Sequence, residues 1–307
     1  MGGGGEAEEG RVAAMVEAVG ERLNPLMAPT RRPRVPLGAA GRYLLLLVLA
    51  LLFLFPFYLM LRNALMTQAE LSAFDWSWWP AEPQWQNVHL LFNDTTAPMA
   101  SGLRNSAIIA GINLLLQTLF ASMAGYALAR IPVRGRDLVF FVILATLMVP
   151  SAVTFVPSYV VVANLGMVNT LWGIVVPGLF NAFATFLFRQ FYLDFPVEIE
   201  EAGRLDGLGY MGIYWRLLLP NSIGILMALG VLSFINSWNA FLWPLVVGRS
   251  PSSWTVQVVL STFLNAQVLN LPMLFMGAIV AALPLIIVFL VMQRYIVEGV
   301  RLSGVKG

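Results

Sequence analysis

No cysteine occurs among the 307 residues, and there is one histidine, His89, and one lysine, Lys306. Without cysteine there are no disulfides, no thiolate nucleophile and no cysteine-containing metal site. A single histidine builds neither a two-histidine metal site nor a cysteine–histidine relay. Lys306 is followed by glycine, not Ser or Thr, so the GxxxxGK[ST] phosphate loop is missing and the chain is not expected to hydrolyse ATP by itself. Charge is scarce as well, at 11% of residues against about 25% in an average soluble domain. No catalytic residue, cofactor-binding residue or metal ligand is nominated. The net charge of +2 says nothing of nucleic acid, because the charges follow membrane topology.

Apolar residues are abundant: 59% of the chain, with a mean hydropathy of +0.78. A soluble fold of this size cannot bury that much apolar surface, so the solvent is lipid. A membrane helix needs about 20 mostly apolar residues. Uncharged stretches at 43–61, 105–129, 138–188, 217–248 and 250–293 supply them. The 138–188 stretch holds two spans with a turn at 163–170, and the last span is expected at about 275–293. The fold class is therefore all-α, with six transmembrane helices. With a cytoplasmic N-terminus, 15 of the 18 Lys and Arg residues fall on the inner side, which places both termini there. The first apolar run begins 42 residues in and is long enough to span, so no cleaved signal peptide is expected.

All 34 charged residues lie outside the six spans. Ion-coupled carriers keep an ionisable residue at depth, and voltage sensors stack arginines there. The polar groups in the spans are amides, hydroxyls and aromatics, among them Asn113, Gln117, Asn181, Asn236, Trp238 and Asn239. Such groups either glue helices together or line a path for a neutral, hydrogen-bonding solute. Trp76, Trp78, Trp79 and Trp85 in the outer segment fit an interfacial aromatic belt.

Residues 196–220 read PVEIEEAGRLDGLGYMGIYWRLLLP. Pro196 suits a helix start, Glu198, Glu200 and Glu201 suit its positive end, and Asp206-Gly207 signals a turn. Ala202 and Gly203 are small and adjacent, which suggests a face that another protein's surface can approach. A second short helix, about 210–218, presents Tyr214, Leu217 and Leu218 before Pro220. Either an inert surface linker or a docking element fits this pattern.

The order Glu201-Ala202-Gly203, Gly207, Leu217 and Leu219-Pro220 resembles the EAA loop of permease subunits in binding-protein-dependent ABC importers. Gly203 stands where the family has a second Ala, and Leu217 where it has Ile. RNS at 104–106, GYALAR at 125–130, Pro150 to Pro157, FRQF at 188–191, WNxFLWP at 238–244 and residues 295–307 look like the same family. Together they cover about 100–307 and resemble its maltose-type carbohydrate branch.

The resemblance implies a bacterial or archaeal plasma-membrane permease that forms half of the pathway for a sugar or related neutral solute. Glycerol phosphate or another polar solute is the alternative within the family, and a stand-alone secondary carrier or channel the alternative outside it. Implied partners are a second permease subunit, two ABC ATPase subunits that bind ATP and Mg, and an extracytoplasmic solute-binding protein. The ATPase-coupling residues would be Glu201, Ala202, Gly203, Asp206, Gly207, Leu217 and Pro220, with Glu201 paired to a basic group of the ATPase. Asn236, Trp238 and Asn239 would line the solute path. The outer loop at about 249–273 and the tail 304–307 would meet the binding protein and the ATPase. The domain organisation read this way is 1–41 a basic, disordered cytoplasmic extension, 42–100 the first transmembrane helix and outer loop, 101–300 the importer transmembrane domain with the loop at 196–220, and 301–307 a tail.

Overall fold

The computed structural model describes the backbone of residues 37–265 and 269–304, and side chains over 40–264 and 269–293. The expectations for 1–36 and for the end of the tail at 305–307 lie outside the described residues. By packing, the chain divides into two units, Met1–Pro56 and Phe57–Gly307.

In the first unit the described residues open helix α1 (Leu37–Ala64), and every side chain from 40 to 56 is exposed. A helix apolar on all sides with none of them buried is built for lipid.

The second unit contains no strand among the described residues. After the end of α1 come two short helices, α2 (Gln68–Ser72) and α3 (Gln86–Asn93). Then α4 (Met99–Ile112) runs through a π turn, Asn113–Gln117, into α5 (Thr118–Arg130). Next are α6 (Arg136–Thr146), α7 (Ser151–Asn164), α8 (Leu171–Val175) and α9 (Ala182–Leu193). The loop region contributes α10 (Val197–Leu205), α11 (Tyr210–Ile213), a second π turn at Tyr214–Leu218, and α12 (Leu219–Asn221). The chain continues with α13 (Ile223–Trp238), α14 (Leu242–Val247), α15 (Val256–Asn265) and α16 (Leu271–Gly304).

Among the described residues, three helices are long and apolar enough to cross a membrane: Ala40–Ala64, Met99–Arg130 and Leu271–Gln293. Among the same residues, length and composition allow up to six spans if each of three bent pairs counts as one. The bends have chemical causes. Between α6 and α7 the axis turns by 101°, where Pro150 lacks the N–H needed to continue the ladder and caps the new helix. Between Leu171–Gly178 and Ala182–Leu193 the turn is 44°, and the Asn181 side chain restarts the helix by accepting from the Ala184 N–H at 2.9 Å. The 78° bend before α13 falls at Ser222, whose hydroxyl donates back to the Leu218 carbonyl at 2.6 Å. The turn expected at 163–170 lies between α7 and α8, where Gly166 and Asn169 take left-handed φ of 67° and 63°.

The segment before the last helix is more ordered than the expected loop. It contains α15, and α16 begins at Leu271 rather than near 275. Val256, Val259 and Phe263 of α15 pack into one buried cluster, and Val258 is buried as well. Gly102 lets it approach α4, since a Cβ there would lie 2.9 Å from Val259 Cγ2. Asn105 donates to the carbonyls of Ser252 and Trp254, both at 2.9 Å, and Ser106 accepts from the Val256 N–H at 2.9 Å. Part of 249–273 is thus interior packing, with Asn105 and Ser106 as its polar ties.

Candidate functional site

In the 196–220 loop, α10 follows Pro196, carries Glu198 and Glu200 in its first turn and Arg204 in its last, so its charges complement its dipole. Its end is a Schellman motif: the Gly207 N–H donates to the Arg204 carbonyl at 3.0 Å, and the Leu208 N–H to the Gly203 carbonyl at 2.9 Å. Gly207 sits at φ +81°, a conformation that costs any residue with a Cβ about 1–2 kcal/mol. Asp206 is the C-cap residue and is exposed. On the return, Pro220 has no N–H to give to the carbonyl four residues back, and the turn before it is π rather than α.

The two small residues of α10 do not share a face. Glu201 and Ala202 are exposed, whereas Gly203 is buried against the return segment. A Cβ on Gly203 would lie 2.6 Å from Leu217 Cδ1 and 3.4 Å from Ile213 Cγ1. Gly203 and Leu217 therefore serve packing inside the loop. The exposed surface of α10 includes Glu201 and Ala202.

Beneath the loop, three segments are tied tightly. Gly125 on α5 faces α9, where a Cβ would lie 2.6 Å from Phe188 Cβ and 2.8 Å from the Arg189 nitrogen. Ser122 Oγ hydrogen-bonds Tyr192 Oη at 2.7 Å and accepts from Tyr214 Oη at 3.0 Å, all three residues being buried. Tyr126 stacks on Tyr214 with ring centroids 5.3 Å apart. At the end of α5, Arg130 donates to the carbonyls of Tyr192, at 2.7 Å, and Phe195. Its Nε also lies 3.0 Å from Oε1 of Glu200, whose side chain is 4% exposed. Because that N–H is directed at Tyr192, Glu200 Oε1 has no hydrogen bond and is held by charge alone.

A cavity of about 340 Å³ opens further along the same helices. Its amides are Asn113, Gln117, Asn181 and Asn236; its hydroxyls come from residues such as Ser158 and Ser237; its rings are Phe155 and Trp243, packed edge to face at 5.5 Å. Among the described residues, no Asp, Glu, Lys, Arg or His lines it. Asn113 and Gln117 project from the π turn, an insertion common at functional positions. Asn113 donates to Ser237 Oγ at 2.7 Å, and its own oxygen is unpaired. Gln117 is committed on both sides, donating to the Gly178 carbonyl and accepting from Ser233. Neutral donors, acceptors and ring faces of this kind suit hydroxyl-rich ligands.

Residues 117–302 match the family described as binding-protein-dependent transport system inner membrane component. The chain belongs to this family. It is 33% identical over 266 residues to the arabinooligosaccharides transport system permease protein AraQ of Bacillus subtilis (strain 168), covering 86% of this chain and 94% of that one. It is 31% identical over 265 residues to the sn-glycerol-3-phosphate transport system permease protein UgpE of Yersinia enterocolitica, covering 84% and 94%. In fold it is similar to a chain of a bacterial ABC transporter involved in import of the acidic polysaccharide alginate, with a TM-score of 0.73 at 23% identity, covering 87% of this chain and 99% of that one. The protein is thus a multi-pass membrane permease component.

Of the three residues expected along the path, Asn236 alone lines the cavity. Trp238 is 1% exposed, stacks on Phe234 and donates its indole N–H to the Ala281 carbonyl at 3.0 Å. It is a core residue of the permease: burying an indole with its N–H satisfied stabilises the α13–α16 seam and leaves no face for a solute. Asn239 is exposed at the end of α13 and pairs with Gln257 at 3.4 Å. The indole at the cavity belongs to Trp243, five residues on, beyond the break that precedes α14. Its place after that break was the available signal. From sequence, Glu200 has only a helix-dipole role and Arg130 no site role; the arginine closing an apolar run is visible there, whereas the inward direction of Glu200 is seen only in the structure.

Proposed function

We propose that this permease forms half of the translocation pathway of an ATP-driven importer for a sugar or related neutral solute in the bacterial plasma membrane. The observation that carries the reading is the cavity, whose lining is neutral throughout and rich in amides and hydroxyls. The arabinooligosaccharide relative supports the same solute class. A second permease would complete the path, an extracytoplasmic binding protein would deliver the solute, and two ATPase subunits would supply the energy. The exposed Glu201–Ala202 edge of α10 would seat in the ATPase, on the side where 15 of the 18 basic residues fall.

The UgpE relative favours a second reading, a glycerol phosphate solute. An anion would be better served by a cation, and this chain's share of the cavity offers none.

The test is uptake into liposomes of labelled arabinotriose and labelled sn-glycerol 3-phosphate, with the purified native complex and with this chain alone. ATP-dependent arabinotriose uptake by the complex, and none by the chain alone, is expected. Preferred uptake of the phosphate would establish the second reading, and uptake by the isolated chain would overturn both.

A further inference from the structure

The buried face of α10 meets α5 at Glu200, against Arg130, and the loop's own return segment at Gly203, against Leu217. Arg130 in turn is fastened to the end of α9 and its exit through the carbonyls of Tyr192 and Phe195. With Gly125 packed on Phe188, and with Ser122 bridging Tyr192 and Tyr214, the helices α5 and α9 and the return segment are tied into one block. That block reaches the cavity at two places. Helix α5 continues into the π turn that carries Asn113 and Gln117, and α9 starts at Asn181.

We propose that Arg130 and Glu200 are the positioning pair through which displacement of α10 drives the α5–α9 block, and with it the cavity wall. This rests on the ATP-driven permease reading above. The geometry suits the task. The guanidinium is fixed to α9 by directed hydrogen bonds, whereas its contact with Glu200 is a charge contact with no hydrogen bond to Oε1. Such a contact resists separation yet tolerates rotation, so α10 can turn in a partner's cleft without detaching. The second cation near Glu200, Arg204, lies on α10 itself at 3.9 Å, and its guanidinium sits over the Tyr210 ring of α11 rather than against α5 or α9. A pair that served only stability would hold the loop in place, and removing its charge would leave the cavity's response to ATP intact.

The absence of native cysteine allows a solute-independent readout. Ser158→Cys places a thiol at the cavity. In the purified complex with its native partner subunits, labelling of that thiol by a membrane-impermeant maleimide is compared without nucleotide and with ATP plus vanadate. A change of about fivefold or more is expected in the parent, and less than about 1.5-fold once Glu200→Gln is added, with partner subunits still co-purifying and hydrolysing ATP. Where Glu200→Gln does not assemble, Glu200→Asp, which keeps the charge but shortens its reach, is expected to give an intermediate response.

An undiminished response in either assembled variant overturns the proposal. Failure of both variants to assemble assigns the pair to folding and overturns it as well. Absence of any response in the parent removes the ATP-driven reading on which the proposal rests, a different failure from the other two.

Discussion

The two stretches of the long helix Met99–Arg130 are built in opposite ways. Toward Arg130, contacts are short and directed: Gly125 against Phe188, Ser122 between two tyrosines, a guanidinium on two carbonyls. At Asn113 and Gln117 the helix widens into a π turn beside open volume, and one buried amide oxygen is unpaired. Close packing transmits displacement, while loose polar packing accommodates a guest. One helix thus joins a rigid grip to an adaptable wall.

The strongest way to break the rigid end is Gly125→Val. No side-chain rotation removes a clash with Phe188 Cβ and the Arg189 backbone, because both are fixed by α9. Loss of recoverable folded permease, judged by size exclusion in detergent, is expected, and a monodisperse native peak at normal yield would show that α5 and α9 can separate.

Paired tryptophan substitutions sharpen the contrast. Trp238→Ala should cost about 3–5 kcal/mol of stability, as emptying a large core position does. It should appear as a lowered unfolding midpoint, with uptake per folded complex retained. Trp243→Ala should do the reverse, shifting the uptake KM several-fold with a smaller change in midpoint, because its ring faces the cavity. If Trp238→Ala changes uptake and Trp243→Ala does not, the cavity has been assigned to the wrong indole.

The smallest effect is expected from Gly207→Ala. The left-handed φ makes it costly by about 1 kcal/mol, confined to the loop. Thermal unfolding should move little, and a large drop would mean that the Schellman turn is more central to the fold than its exposure suggests.

Much of this organisation was legible in the residues. Apolar run lengths located the membrane segments, and the Glu201-to-Pro220 pattern marked the loop and its family. Side-chain direction on short helices was harder to read. Ala202 and Gly203 are neighbours in sequence but 100° apart around a helix, so one faces out and the other in. Trp238 and Trp243 flank a break that resets the helical phase, and composition cannot tell which ring is buried. The bends at Pro150 and Ser222 depend on where the chain restarts, which apolar run length does not encode. Helix α15 was read as loop because polar residues flank a short apolar stripe, and that stripe becomes interior only once Gly102 lets α4 approach.

The central claim is that the exposed edge of α10 is the point where partner ATPases act on this chain. In the complex in sealed right-side-out vesicles, Glu201→Cys introduces a thiol into a chain that has none of its own. The account predicts that this thiol resists impermeant maleimide from outside and forms a cross-link to an ATPase subunit that changes in yield with ATP. Ready labelling from the outer side, with no such cross-link, would contradict it.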